Sequence, residues 1–137
     1  MMRSLWIRAL GLWKDCRVWR VFALVWMALI FFLSSKSDLP VPPLFPLQDK
    51  IAHGVAFGIL GFFFSRSFGP HWAPPLLKRV LVITAMVAAY GAFDEFHQSL
   101  VPARDASLAD LAADTLGGLV SAILCSFWAA RRTERSA

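Results

Sequence analysis

Cysteine and charged residues are scarce in this chain, and each shortage excludes a class of function. The only two cysteines, Cys16 and Cys125, have no zinc-type spacing and are not expected to form a disulfide. Charged residues make up 17% of the chain, and the net charge of +5 is modest. The bases flank apolar runs instead of clustering on one helix face, so we predict no nucleic-acid partner.

Motifs for metal-dependent or nucleophilic chemistry are also absent. No HExxH or comparable spacing occurs, although several acids and one histidine are suitable hard or borderline ligands. Ser107 lacks a defined base, and both cysteines are expected at the opposite side of the protein from the other polar residues. We therefore predict no metal and no cofactor, and the sequence leaves open whether the protein is an enzyme.

Apolar residues are abundant, at 58% of the 137 residues, with 12 Phe and 6 Trp. A soluble domain of this size could not bury so much apolar surface. The length fits a single domain, residues 1–137. We therefore predict a membrane protein, with the lipid bilayer as its first partner.

Hydrophobic runs separated by proline-rich connections predict four helices. We expect them at about residues 18–35, 49–66, 76–98 and 107–130, preceded by a basic, amphipathic segment over residues 1–17. Four prolines between positions 40 and 46 exclude a helix there. Asp49 is predicted to cap the second helix, and Ser107 with Asp110 to form a capping box at the fourth. The predicted fold is an all-α bundle of four transmembrane helices.

The distribution of basic residues predicts the orientation of this bundle. With four crossings, the two termini and the connection around residues 66–79 share one side. That side holds eleven Lys or Arg, whereas the other holds three. Because basic residues are enriched in cytoplasmic loops, both termini should be cytoplasmic.

Polar residues then converge on the outer side of the membrane. They open the second helix (Asp49, Lys50, His53), close the third (Asp94, Glu95, Gln98) and surround the start of the fourth (Arg104, Ser107, Asp110, Asp114). Ionisable groups inside a membrane are costly and usually functional. The alternative is a purely structural network that holds the helices together.

The residue types suggest roles within such a site. Arg104 and Lys50 would bind an anionic group, and the Arg104 fork is predicted to bind the carboxylates of Glu95 and Asp110. His53 could titrate near neutral pH. The candidates for acid–base chemistry are Asp49, His53, Asp94, Glu95 and Asp110, and those for ligand binding are Lys50, Gln98, Arg104, Ser107 and Asp114.

These motifs resemble the VanZ-like family of small bacterial membrane proteins. That family carries D-K-x-x-H, matched by residues 49–53, and D-E-x-x-Q, matched by residues 94–98. It also carries P-x-R-x-x-S-x-x-D followed by a glycine, matched by residues 102–110 and Gly117, and the pair Ser34–Ser35 fits as well. Many members have Asn where this chain has Asp114. The resemblance implies a multi-pass protein of the bacterial plasma membrane, and the founding members are similar to teicoplanin-resistance accessory proteins.

We therefore expect a site that binds or processes an envelope component, either lipid-linked or related to peptidoglycan, with a link to glycopeptide resistance. The alternatives are a membrane enzyme of the general acid–base type, a proton-coupled transporter and a purely structural membrane partner. The sequence does not specify the ligand or the oligomeric state.

Overall fold

The computed structural model describes residues 15–37, 45–69 and 72–134. These residues form four α-helices: α1 (Cys16–Ser34), α2 (Gln48–Ser67), α3 (Leu76–Gln98) and α4 (Leu108–Glu134). No strand occurs in the described ranges, so the all-α prediction is confirmed. Residues 1–14 of the predicted amphipathic segment at residues 1–17, and most of the proline-rich connection, lie outside these ranges.

Helices α1 and α2 start earlier than predicted, and a side-chain cap explains the first of these differences. Helix α1 begins two residues early because the Asp15 carboxylate accepts a hydrogen bond from the backbone N–H of Arg17 at 2.8 Å. Helix α2 begins at Gln48 after Leu47, whose φ is 67°. The prediction that Asp49 caps this helix is therefore wrong, and Asp49 lies in its first turn.

The start of α4 uses a cap built from two helices. The backbone N–H of Asp110 donates to Ser107 Oγ at 3.4 Å, as a capping box requires. The return bond, from the backbone N–H of Ser107, goes to Glu95 Oε2 on α3 at 2.6 Å. The predicted capping box is therefore half correct, and the Asp110 carboxylate contacts a different partner.

Glycines allow α4 to pack closely against two neighbours. A Cβ added to Gly117 would lie 2.0 Å from the carbonyl oxygen of Gly54 on α2. A Cβ on Gly58 would lie 3.4 Å from the Gly117 carbonyl oxygen. We call this α2–α4 contact of Gly54, Gly58 and Gly117 the glycine seam. On the α3 side, a Cβ on Gly118 would lie 2.6 Å from Val87.

Helix α1 packs against the bundle through buried apolar side chains and through two hydrogen bonds donated by aromatic side chains. The indole N–H of Trp26 donates to the Ala56 carbonyl at 2.9 Å, and the Tyr90 hydroxyl donates to the Met27 carbonyl at 2.6 Å. Because water is absent from a bilayer core, such internal partners stabilise the packing. The shared core consists of Ala23, Ile30, Phe57, Leu60, Phe64, Ile83, Val87 and Ala122.

Three helices are long and apolar enough to cross a membrane: Cys16–Ser34, Leu76–Gln98 and the Leu108–Arg131 part of α4. Large apolar side chains also point outward, with Leu24, Leu77 and Leu124 each more than 60% exposed. An apolar outer surface of this extent is typical of contact with lipid. Helix α2 is long enough, but it is less apolar than the other three because polar residues occupy its first two turns.

Candidate functional site

The ten residues predicted for the site lie at one end of the bundle. There the end of α1, the start of α2, the end of α3 and the start of α4 meet through side-chain hydrogen bonds. The ten are Asp49, Lys50, His53, Asp94, Glu95, Gln98, Arg104, Ser107, Asp110 and Asp114. The order and direction of the helices bring them together from three stretches of sequence, residues 49–53, 94–98 and 104–114.

Asp94 links α1 to α3 and is only 1% exposed. Its Oδ2 accepts hydrogen bonds from Ser34 Oγ at 2.9 Å and from Gln98 Nε2 at 2.8 Å. Its Oδ1 is buried without a partner. The carboxylate is therefore half satisfied by neutral donors, and no cation contacts it within the described ranges.

Lys50 pairs α2 with α4. Its Nζ lies 2.6 Å from Asp110 Oδ1 and 3.7 Å from Asp49 Oδ2. Asp110 is buried, whereas the Lys50 side chain is about one-third exposed and Asp49 is largely exposed. Lys50 therefore neutralises the buried member of the two acids and leaves the outer one beside water or lipid head groups.

His53 and Asp114 form the deepest polar pair. His53 Nδ1 lies 3.0 Å from Asp114 Oδ1, and Asp114 is completely buried. Asp114 Oδ2 and Glu95 Oε1 are both buried without a hydrogen-bond partner. Among the bases at this end of the bundle, Lys50, Arg104 and His53, it is His53 that contacts Asp114. Two buried carboxylates, from α3 and α4, thus lie near His53, and each has one oxygen without a partner.

Arg104 does not bind the carboxylates predicted for it. Its Nε donates to the Lys36 carbonyl at 2.9 Å, and a terminal guanidinium nitrogen donates to the Leu33 carbonyl at 3.3 Å. The last carbonyls of a helix lack partners within that helix, so a nearby arginine satisfies them and the dipole favours its charge. Arg104 therefore caps the end of α1, while Glu95 and Asp110 bind Ser107 and Lys50 instead.

His97, beside this cluster, is held between α1 and α3 instead of facing only water. Its ring stacks on Phe31 with centroids 4.2 Å apart, and its Nε2 lies 2.9 Å from Ser35 Oγ. Ser34 and Ser35 thus connect the end of α1 to the site through different partners. Sequence reasoning identified this serine pair only through the family resemblance and gave it no role.

A cavity of about 170 Å³, lined by both polar and apolar side chains, opens within the cluster. Its polar lining comprises Ser34, Asp49, His53, Asp94, Gln98 and Arg104. A second, apolar groove of about 530 Å³ runs between α1 and α2. The cavity and the groove share four lining residues, Ile30, Leu33, Ala52 and Ala56, so they adjoin along these side chains. No periodicity in the sequence indicated this junction, because its residues are ordinary members of apolar runs.

Two groups of side chains have a geometry that could hold a metal ion. One comprises His53, Glu95 and Asp114, and the other Asp49, His53 and Asp110. In each group one ligand atom per residue lies within 4.8 Å of the others. The sequence assigned no metal because none of these residues stands at a known ligand spacing.

A known protein family matches most of this chain. The VanZ/LLP1 family model matches residues 19–129, which include most of each of the four helices and the whole site. The chain belongs to the VanZ/LLP1 family. The resemblance stated from the motifs is thereby confirmed, and with the three apolar helices it makes this a membrane protein of VanZ type. No curated protein and no solved structure matches the chain.

Proposed function

We propose that this VanZ/LLP1 protein binds a lipid-linked envelope component, with the polar end of the lipid in the cavity and its chain in the α1–α2 groove. The observation that carries the proposal is that the two spaces adjoin along Ile30, Leu33, Ala52 and Ala56. An amphiphile needs polar groups for its head and an apolar surface for its chain side by side, and this pair of spaces offers both.

The cavity lining suits a small head group that combines an anion with hydrogen-bond donors. Arg104 can offer charge to a phosphate or carboxylate, and Lys50 lies at the adjacent start of α2. Asp49, Asp94 and Gln98 can accept hydrogen bonds from hydroxyl or amide groups. At about 170 Å³ the cavity is smaller than typical ligand pockets. It therefore fits the terminal group of a ligand, such as a phosphate with part of a sugar, and excludes a complete disaccharide.

The proposal includes four membrane crossings with both termini in the bacterial cytoplasm. Helix α2 has 20 residues, which gives about 30 Å of helix and matches the hydrocarbon thickness. The end of the bundle opposite the site is rich in bases and tryptophan: Arg66 lies over the rings of Trp19 and Trp128. Such a belt is typical of the cytoplasmic interface. The site would then face the outer leaflet, where an envelope lipid is available.

A binding assay tests the proposal at the junction of the two spaces. The protein in nanodiscs would be titrated with a polyprenyl phosphate and, for comparison, with the polyprenol that lacks the phosphate. We expect the phosphate to bind more tightly, because the polyprenol leaves the cavity empty. Ala52→Trp should weaken binding of the phosphate by about tenfold or more, since an indole would fill the passage between cavity and groove.

The matched control is Ala85→Trp. Ala85 is exposed on α3 and lines neither space, so an indole there should extend into lipid without effect. Equal binding of the polyprenyl phosphate by Ala52→Trp and Ala85→Trp would contradict the proposed route for the chain. Equal binding of phosphate and alcohol would contradict the proposed role of the cavity.

A general acid–base enzyme is the second candidate, and the His53–Asp114 pair favours it. A buried carboxylate that orients an imidazole is a common arrangement for proton transfer, and His53 also lines the cavity. The two candidates differ in one measurement. An enzyme would lose turnover of a polyprenyl diphosphate in His53→Gln while still binding it, whereas a binding protein would release no phosphate at all.

A further inference from the structure

We propose that His53, Glu95 and Asp114 form a binding site for one divalent transition-metal ion. The three residues come from α2, α3 and α4, and each offers a ligand atom within 4.8 Å of the other two. The site lies at the inner end of the polar cluster. It stands on its own geometry and does not depend on the lipid-binding function proposed above.

The first support is the pair of buried oxygens without partners. Glu95 is 6% exposed and Asp114 is fully buried, yet Glu95 Oε1 and Asp114 Oδ2 accept no hydrogen bond. Leaving a buried polar atom unpaired is destabilising, and more so for a charged group. Both oxygens belong to residues that converge on His53, so one ion could satisfy them together.

The second support is the balance of charge. Four carboxylates at this end are buried: Asp94, Glu95, Asp110 and Asp114. Lys50 neutralises Asp110, and within the described ranges no lysine or arginine pairs with the other three. A buried charge needs a counter-charge or a proton. A divalent cation beside a neutral His53 would balance Glu95 and Asp114 without further residues.

The ligand types indicate the class of metal. An imidazole with two carboxylates suits zinc, iron or manganese, whereas calcium and magnesium prefer sites made only of oxygen. Their other contacts also position the two carboxylates. Glu95 Oε2 is held by the backbone N–H of Ser107 at 2.6 Å, and Asp114 Oδ1 is paired with His53. In each carboxylate one oxygen is fixed and the other remains available for the ion.

The second metal-compatible group shares His53 but fits less well. It uses Asp49, which is exposed, and Asp110, whose Oδ1 lies 2.6 Å from Lys50 Nζ. An ammonium group in direct contact with a ligand opposes the binding of a cation. The buried group therefore carries the proposal, and the outer group provides the comparison for its test.

The test uses full-length protein without a polyhistidine tag, reconstituted in nanodiscs and freed of metal with a chelator. Calorimetric titration with Zn²⁺ and with Mn²⁺ should show one ion per chain, and Mg²⁺ should bind far more weakly. X-ray absorption of the zinc form should show only nitrogen and oxygen ligands, with imidazole scattering. A sulfur ligand, or no binding of either transition metal, would overturn the proposal.

Isosteric variants locate the ion. Glu95→Gln and Asp114→Asn keep an oxygen for the Ser107 and His53 contacts but remove one ligand charge each. Each should lower the affinity by at least about 100-fold, whereas Asp49→Asn and the exposed Asp105→Asn should retain it. If Asp49→Asn lost the ion and Glu95→Gln kept it, the outer group would be the site and the proposal wrong. Size exclusion and circular dichroism would verify that each variant folds, and either inner variant alone decides the question.

Discussion

Gly117→Ala offers a sharp test of the glycine seam. A Cβ at this position would lie 2.0 Å from the Gly54 carbonyl oxygen, which is 1.4 Å short of the 3.4 Å where ordinary contact begins. The obstacle is backbone, so no side-chain rotation relieves it. Helices α2 and α4 would have to separate by about 1.4 Å or bend locally.

The energetic cost follows from this displacement. Overpacking costs about 1–3 kcal/mol, and a clash with backbone belongs at the upper end of that range. Replacing glycine by alanine within a helix returns about 1 kcal/mol through helix propensity. We therefore expect Gly117→Ala to lower the free energy of unfolding by about 2 kcal/mol. The same separation would stretch the 3.0 Å contact between His53 and Asp114 beyond hydrogen-bonding distance.

Gly58→Ala is the matched control on the same seam. Its Cβ would meet the Gly117 carbonyl oxygen at 3.4 Å, which is ordinary contact, and it gains the same helix propensity. We expect its free energy of unfolding to equal or slightly exceed that of the wild type. Reversible unfolding in mixed detergent micelles would measure both variants. If their unfolding free energies agree within about 1 kcal/mol, the close approach at Gly117 does not stabilise the bundle.

Two further predictions concern orientation and the cap of α1. The first uses single cysteines in a background without native cysteines. Ser37→Cys and Ala103→Cys should react with an impermeant maleimide added outside intact cells, and Ser67→Cys should not. Labelling of Ser67→Cys from outside would place the site in the cytoplasm. Arg104→Lys should lower the free energy of unfolding by about 1 kcal/mol, because an ammonium group cannot donate to the Leu33 and Lys36 carbonyls with a planar fork. Lys78→Arg, an exposed base at the other end, is its control, and equal stability of the two variants would contradict the capping role.

Hydrophobic runs and loop residues were sufficient to predict the helices. All four occur within about two residues of the predicted starts, since lipid-facing segments need long apolar runs and prolines interrupt them. The capping residues were less predictable than the helix bounds, because a cap depends on single side chains. Asp49 follows the start of α2 by one residue, and at α4 Glu95 from another helix takes the role that the sequence suggested for Asp110.

The gathering of the polar residues was predictable, but their pairing was not. The direction of each helix decides which helix ends lie together, and this direction follows from counting the predicted membrane crossings. Pairing depends on rotations of a few tens of degrees that no local pattern encodes. Arg104 illustrates the difference: charge alone favoured the abundant acids, whereas the structure gives it two backbone carbonyls at the end of α1.

The stripe along α4 shows how packing and chemistry depend on each other in this fold. Asp110, Asp114 and Gly117 recur at helical spacing, so the glycine that meets Gly54 lies one turn below the carboxylate that meets His53. His53 immediately precedes Gly54, and the same close approach therefore sets both distances. A larger residue in the seam would open the carboxylate cluster even though it touches none of its members. The small residues of α4 are thus positioning residues for the site as well as packing residues for the bundle.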